Sequence, residues 1–209
     1  MLRIRVKVCG ITNYEDALLA VHHGADALGF IFAESPRRVD VPTAGKIVGQ
    51  LPPFVAKVGV FKDRVLSEVI EIMNDVGLSH AQLHGSETVE YTKQLGRRAI
   101  KVFHVTGPAV LEEMRRFQLP TAMLDVPKGQ SASILDFIEI AARAAEPGHL
   151  IISGELTPEN VREAIIRIRP FAVDVARGVE EAPGKKSEAK LERFFQQVRE
   201  AEYDLQSAR

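Results

Sequence analysis

The sequence predicts a single α/β domain over residues 1–209, folded as one closed (β/α)8 barrel. Short β-branched runs alternate with helix-period stretches from one end of the chain to the other. Eight such runs occur, and they begin about 24 residues apart on average, close to the shortest unit that permits a right-handed parallel crossover. No Ser/Gly/Pro-rich linker or shift in composition marks a domain boundary.

The eight predicted strands are β-branched or apolar runs bounded by turn residues. In chain order they are Arg5–Cys9, Asp26–Phe32, Phe54–Phe61, His80–His84, Arg98–Val105, Thr121–Val126, His149–Ser153 and Phe171–Val175. Helices are predicted over Asp63–Val76 and Glu159–Ile168, where apolar residues recur every three or four positions. Thr157 and Pro158 are typical of an N-cap followed by proline at the first helical position.

Lysines within apolar strands favour the barrel over an open doubly wound sheet of the same eight units. Lys7, Lys57 and Lys101 each stand among apolar neighbours. A buried charge needs a partner or water, and a barrel interior near its open end offers both. The alternative is that these side chains snorkel past helix edges to solvent.

Composition excludes several classes of protein. With 27 basic and 28 acidic residues the net charge is −1, so the chain lacks the positive field typical of nucleic-acid binding. No apolar run approaches the roughly 18 residues needed to span a bilayer, and we expect a cytoplasmic protein without a membrane partner. The one cysteine, Cys9, cannot form an intrachain disulfide or a multi-thiolate metal site.

In a (β/α)8 barrel the active site lies where the strands end at their carboxyl side. The side chains to inspect there are those of Cys9, Arg37, Arg38, His84, His104, Asp125, Ser153, Asp174 and Arg177, with the backbones of Gly10, Gly85, Gly154 and Gly178. Each has a plain structural alternative. Cys9 is either a reactive thiol or a small buried hydrophobe, and Asp125 is either a general acid or a loop cap. No His/Asp set with metal-ligand spacing is visible at this rim.

Other rim residues allow two interpretations as well. Lys7 and Asp174 either pair or meet a substrate, and Arg37 either holds an anion with its guanidinium fork or is simply solvated. His84 and His104 are possible donors at the rim, although a core role is more typical of each. Backbone N–H groups near Ser153, Gly154 and Gly178 suit phosphate binding. No GxGxxG or P-loop pattern occurs.

Several of these pieces together resemble the phosphoribosylanthranilate isomerase family of tryptophan biosynthesis. The matching pieces are VKVCGIT (6–12), GAD (24–26), GFIF (29–32), SPR (35–37), KVGVF (57–61), QLHG (82–85), LD (124–125), LTPENV (156–161), VDV (173–175) and GVE (178–180). They occur in order along most of the chain. The resemblance implies a single barrel that needs no metal or organic cofactor.

The resemblance also implies an activity and site roles. The activity is an Amadori rearrangement of N-(5-phosphoribosyl)anthranilate to the open-chain carboxyphenylamino-deoxyribulose phosphate. Cys9 is the implied base at C2 of the sugar, and Asp125 is the implied acid at the ring oxygen. Arg37 would bind the anthranilate carboxylate and Asp174 the sugar, with Lys7 and His84 also in the substrate site. Because an ordinary thiol is only a few per cent ionised at pH 7, we expect Lys7 to favour the Cys9 thiolate.

The sequence departs from the family pattern in three loops. The loop 126–133 after the sixth strand is short and has one glycine, which puts closure over the substrate in question. In the seventh loop Glu155 replaces a glycine, and in the eighth loop Ala176 and Arg177 replace two serines. We hypothesise that Arg177 offsets the charge of Glu155 and contacts the phosphate. These departures keep two alternatives open: a related phosphosugar enzyme of different or dual specificity, and a non-catalytic phosphate-ester binder. The expected partners are a small-molecule phosphoribosyl substrate and other enzymes of tryptophan biosynthesis.

Overall fold

The computed structural model describes residues 3–126, 134–145 and 149–207, and within them eight parallel strands close into a barrel in chain order. This confirms the predicted (β/α)8 fold. The strands are β1 Arg5–Cys9, β2 Ala27–Ile31, β3 Ala56–Phe61, β4 His80–Leu83, β5 Ala99–His104, β6 Thr121–Asp125, β7 His149–Ile152 and β8 Ala172–Val175. Each predicted strand lies within one or two residues of the observed one, because β-branched runs and flanking turn residues mark strands well.

Helices follow the strands around the outside of the barrel. They are α1 Tyr14–His23, α2 Val41–Val48, α3 Leu66–Val76, α4 Val89–Leu95, α5 Val110–Phe117, α6 Ile138–Ala145, α7 Val161–Ile168 and α8 Glu188–Ser207. Local signals explain several ends: the Asn13 side chain accepts from the Asp16 N–H at the start of α1, and Gly24 ends that helix in the left-handed region. Among the described residues, no helix combines the length and the apolar composition of a membrane-spanning segment.

Two predicted helix starts were wrong by a few residues. Helix α3 begins at Leu66 rather than Asp63, because Asp63 has a φ of +50° and its carboxylate accepts the Ser86 N–H. Helix α7 begins at Val161, and Thr157 is not its N-cap. Thr157 instead closes a preceding turn, since its hydroxyl accepts the Glu159 N–H.

Strand alternation separates an inner from an outer core. The inner cluster, inside the barrel, consists of Val58, Ile100, Val102, Met123, Ile151 and Ala172, with Ala27 and Phe171 against it. The larger cluster lies between strands and helices and includes Val8, Phe30, Leu83 and Leu124. Because successive side chains point to opposite faces, this division shows which strand residues face the interior.

The three strand lysines do not all face the interior, so the expectation for them was only partly correct. Lys7 is buried inside the barrel, as argued below. Lys101 stands between the inward-facing Ile100 and Val102 and so lies on the outer face, where it pairs with Glu87 at 3.1 Å. Lys57 reaches the Pro52 carbonyl at 3.3 Å, below the amino end of β3, as the snorkelling alternative predicts.

A short antiparallel hairpin after β8 was not predicted. It consists of β9 Glu180–Ala182 and β10 Lys185–Lys186, joined through Pro183 and Gly184. The Thr12 hydroxyl donates to the Gly184 carbonyl at 2.7 Å, which ties the hairpin to the loop after β1. The Pro-Gly pair between two short charged runs is a turn signal that sequence reasoning had available.

Candidate active site

Cys9 and Asp125 lie at the same end of the barrel and face its interior. Each is the last residue of its strand. Asp125 stands two residues after the inward-facing Met123, and Asp174 two residues after the inward-facing Ala172. Lys7 contacts Asp174, and Cys9 is two residues after Lys7, so both share the inner face of β1. The thiol and the carboxyl therefore open onto one mouth.

The thiol stands beside a buried ion pair. Lys7 Nζ lies 2.7 Å from Asp174 Oδ1, and the two side chains are only 4% and 7% exposed. Gly29 on the neighbouring strand makes room for this group, because a Cβ there would lie 2.6 Å from the Cys9 sulfur. A residue larger than glycine at position 29 would displace the thiol or the ammonium group.

Burial raises the pKa of the Cys9 thiol above its ordinary value, and Lys7 opposes this only in part. The expectation that Lys7 favours the Cys9 thiolate is confirmed in sign, since Lys7 lowers the thiol pKa, but burial has the larger effect. Burial alone would lower the pKa of Lys7, but Asp174 and then Cys9 outweigh it and raise that pKa. Lys7 thus stays charged and stabilises the thiolate when it forms.

Arg37 is held by a carboxylate rather than left free in its loop. Its Nε and Nη2 donate to Glu180, with Nη2 at 2.6 Å from Oε2, in the paired geometry that suits a guanidinium. The hydrogen bonds that Arg37 donates to Glu180 raise the pKa of Arg37. Burial would raise the pKa of Glu180, but Arg37 and Lys186 lower it below its ordinary value. The guanidinium is thereby fixed near the end of β1, where Gly10 packs against its stem.

Lys186 completes this buried network and links it to the backbone of Cys9. Its Nζ lies 2.9 Å from Glu180 Oε1 and donates to the Cys9 carbonyl at 2.6 Å, and its side chain is 0% exposed. Its backbone N–H donates to Asp16 at 2.8 Å. Sequence reasoning missed the roles of Glu180 and Lys186, since local pattern does not show that this hairpin packs against the loop after β1.

The opposite side of the mouth has a different composition. His84 Nε2 lies 3.2 Å from Asp125 Oδ2, and the rings of His84 and His104 have centroids 5.2 Å apart. The ligand atoms of His84, His104 and Asp125 lie within 4.8 Å of one another. The expectation that no His/Asp set gathers at the rim was therefore wrong, because these residues are about 20 apart in sequence and only the barrel brings three neighbouring strand ends together.

The four residues predicted to bind phosphate follow the last two strands of the barrel: Ser153 and Gly154 come after β7, and Arg177 and Gly178 come after β8. The Ser153 N–H donates to the Leu124 carbonyl at 2.8 Å, so it serves the strand ladder. Gly154 has a φ of +104°, and a Cβ there would lie 2.9 Å from the Val126 nitrogen. A Cβ on Gly178 would lie 2.0 Å from the Leu156 carbonyl oxygen. Both positions require glycine, and the loops after β6, β7 and β8 consequently pack tightly together.

Glu155 and Arg177 form an ion pair across the last two loops, so the pairing part of the hypothesis is confirmed. Both side chains are well exposed, at 48% and 70%. Arg177 also lines a surface cleft of about 380 Å³ with Lys190 and Arg193 of α8. Residues 127–133, which make up most of the short loop after β6, lie outside the described residues, and so does the expectation about closure.

The fold and the mouth define a (β/α)8-barrel enzyme that places ionisable side chains on both sides of one opening. A family model described as N-(5'phosphoribosyl)anthranilate (PRA) isomerase matches residues 6–197. The chain is 44% identical over 200 residues to an N-(5'-phosphoribosyl)anthranilate isomerase of Geobacter metallireducens, with 94% of this chain and 99% of that protein covered. The chain therefore belongs to the N-(5'-phosphoribosyl)anthranilate isomerase family.

Solved structures agree with this assignment. The crystal structure of phosphoribosyl anthranilate isomerase from Thermotoga maritima matches with a TM-score of 0.89 and 37% identity, covering 94% of this chain and 99% of that one. A phosphoribosyl anthranilate isomerase in complex with reduced 1-(o-carboxyphenylamino)-1-deoxyribulose 5-phosphate matches with a TM-score of 0.83 and 38% identity, covering 94% and 99%. A structural neighbour thus binds a phosphoribosyl compound.

Proposed function

We propose that this chain isomerises N-(5'-phosphoribosyl)anthranilate to 1-(2-carboxyphenylamino)-1-deoxyribulose 5-phosphate, with Asp125 as general acid and Cys9 as general base. The observation that carries the proposal is the shared inner mouth: the two side chains end β6 and β1 of one closed barrel. Ring opening needs a proton donor at the ring oxygen, and enolisation needs a base at C2. Two groups on well-separated strands meet both needs on one sugar.

The acid step begins with Asp125. Its carboxyl delivers a proton to the ribose ring oxygen, the bond from that oxygen to C1 breaks, and the anthranilate nitrogen supplies the electron pair for a C=N bond. His84 lies against one carboxyl oxygen of Asp125, at 3.2 Å, and so orients the group toward the sugar. Orientation of this kind matters because a proton transfers only within hydrogen-bond reach.

The base step belongs to Cys9. Its thiolate removes the proton from C2, the resulting enol tautomerises to the ketone, and the thiol is deprotonated again for the next cycle. Lys7 stays charged because Asp174 pairs with it, and its positive charge stabilises the thiolate as it forms. Lys7 therefore acts on the base, while the second oxygen of Asp174 suits a sugar hydroxyl.

The rest of the substrate has matching partners at the mouth. Arg37, oriented by Glu180, suits the anthranilate carboxylate, because an oriented guanidinium offers its remaining N–H groups to a second anion. The phosphate is assigned to the loops after β7 and β8, where Ser153, Gly154, Arg177 and Gly178 lie. Gln82 Oε1 is buried and has no hydrogen-bond partner among the described residues, and β4 turns Gln82 toward the interior. A sugar hydroxyl is a donor that would pair with this oxygen.

Turnover of the purified protein tests the proposal directly. Incubated with N-(5'-phosphoribosyl)anthranilate, the chain should convert it to the ketose product in the absence of any added pathway enzyme. Turnover only of a histidine-pathway aminoaldose would favour the alternative of altered specificity, and tight binding without product would favour a binder. We also propose that this member of the family is a cytoplasmic enzyme with one domain over residues 1–209. Its product would pass to another enzyme of tryptophan biosynthesis.

A further inference from the structure

The proposed isomerisation uses only part of the cluster formed by His84, His104 and Asp125. In the proposed mechanism His84 orients Asp125, and His104 has no role. Yet the three side chains converge: each offers one ligand atom, and these three atoms lie within 4.8 Å of one another. Two imidazoles and a carboxylate form a ligand set that zinc enzymes use with a fourth position left open.

The distances suit a small transition-metal ion. Nitrogen and oxygen ligands at about 2.0–2.1 Å from Zn²⁺ in tetrahedral geometry lie about 3.3 Å from each other. His84 Nε2 and Asp125 Oδ2 already lie 3.2 Å apart. His104 is exposed at the mouth, so its side chain has room to rotate toward the other two ligands.

The backbone that carries these ligands is regular. His84 directly follows β4, and its N–H continues the ladder to the Phe61 carbonyl at 2.8 Å. His104 ends β5 and Asp125 ends β6, and the two residues are register partners. Ligands mounted on adjacent strand ends of a closed barrel keep their spacing better than ligands on loops.

We propose that His84, His104 and Asp125 form a binding site for Zn²⁺ or a related nitrogen-preferring cation, and that the bound ion inhibits the enzyme. Imidazole ligands favour zinc-type ions over Mg²⁺ and Ca²⁺, which take oxygen ligands. A metal-bound carboxylate is deprotonated, so Asp125 would have no proton to deliver to the sugar. Binding follows from the geometry alone, whereas inhibition rests on the proposed function, specifically on Asp125 as the acid.

Direct binding is the primary test, since it does not depend on activity. Metal-stripped full-length protein is titrated with Zn²⁺ by calorimetry, and the complex with Co²⁺ is examined by visible absorption. We expect one site per chain and a ligand-field spectrum of low coordination number. His104→Gln should weaken binding at least about tenfold. Loss of a residue that only hydrogen-bonds a metal ligand already costs about that much, and His104 would be a ligand itself. The matched control is His22→Gln, an exposed histidine in the last turn of α1, which should bind as the unaltered chain does.

Inhibition is measured next, relative to the metal-free turnover of each variant. Zn²⁺ should inhibit the unaltered chain and His22→Gln at the same concentration, and His104→Gln should need at least about tenfold more. Chelator should restore turnover. Absence of calorimetric binding, equal binding by His104→Gln, or a sulfur-to-metal charge-transfer band from Cys9 in the Co²⁺ complex would each overturn the site. If Zn²⁺ binds at the site and turnover does not fall, inhibition is refuted and the role of Asp125 as the acid is weakened. If the chain has no turnover but still binds Zn²⁺, only the proposed function is rejected.

Discussion

The two sides of the mouth are built in opposite ways. On the side of β1, Lys7, Asp174, Glu180 and Lys186 are buried in two ion pairs with little contact with solvent. On the side of β4 to β6, the imidazole of His84 is 24% exposed and lies between Asp125, at 3.2 Å, and the ring of His104. The base thus lies beside a buried network of ion pairs, called here the buried frame, which consists of Lys7, Asp174, Glu180 and Lys186. The acid lies in a partly exposed cluster of histidines.

This difference follows from what each group must do. A thiol in a buried place is a poor base unless a cation stays next to it, and the cation stays charged only if its own carboxylate stays near. The acid must receive a proton again after every cycle, and access to water provides one. In the buried frame, removal of one charged group leaves its partner buried without compensation, which destabilises the fold.

The comparison is tested most strongly by removing the two reacting groups. Cys9→Ala and Asp125→Asn should each lower kcat by at least about 10²-fold, the usual scale for a positioned acid or base. Steady-state turnover measures the effect, and thermal unfolding checks that each variant remains folded. Turnover of either variant at the unaltered rate would refute the role given to that residue.

Breaking the buried frame should cost stability as well as activity. Lys186→Met removes a cation whose side chain is 0% exposed. It should lower the free energy of unfolding by about 3 kcal/mol, the lower end for a broken buried pair, because Arg37 still partners Glu180. The neighbouring Lys185→Met is the control: Lys185 is 53% exposed and should lose less than about 1 kcal/mol. Urea denaturation of both variants gives the comparison, and equal losses would show that burial of Lys186 is not the cause.

Arg37 tests whether the frame also orients a binding group. Arg37→Ala should raise KM about tenfold with a smaller change in kcat, since one charge-assisted contact to the substrate is worth about 1.5–3 kcal/mol. Arg37→Lys keeps the charge but loses the fork, and it should recover only part of the affinity. Initial-rate kinetics over a range of substrate concentrations separates the two constants. A fall in kcat alone would place Arg37 outside substrate binding.

The pH profile probes the base in its buried place. A base acts when deprotonated, and burial raises the pKa of the Cys9 thiol above its ordinary value. The ionisation of Cys9 should therefore appear in the kcat/KM profile on the alkaline side of neutral pH. Cys9→Asp is the control, because a carboxylate ionises well below neutral pH. The alkaline ionisation should be absent from the profile of this variant, and its persistence would assign it to another group.

The smallest effect is expected at the exposed pair of the phosphate loops. Arg177→Ala should raise KM about threefold, within the range of a solvent-exposed ionic contact of less than 1 kcal/mol. Arg193→Ala, on α8 beside the same cleft, is the matched control and should leave KM unchanged. Inhibition by inorganic phosphate gives a second measure of the same contact. Equal KM values for the two variants would remove Arg177 from phosphate binding.

Much of the barrel could be predicted from local pattern, and much of the site from strand position. Cys9 and Asp125 were selected because they end strands, and the closed barrel does bring strand ends to one mouth. The starts of α3 and α7 were misplaced because Asp63 and Thr157 make side-chain contacts outside any helix. The hairpin from Glu180 to Lys186 was missed because its charges are satisfied by residues more than 140 positions away.

The sequence by itself determined the order and approximate bounds of the eight barrel strands, since hydrophobic period and turn residues act over a few positions. It also determined which residues could reach the mouth. Only the tertiary structure decided which charges are buried together: Lys7 with Asp174, and Arg37 and Lys186 with Glu180. These pairings depend on the closure of β8 against β1, and electrostatic energy depends on distance and burial, neither of which a linear chain specifies locally.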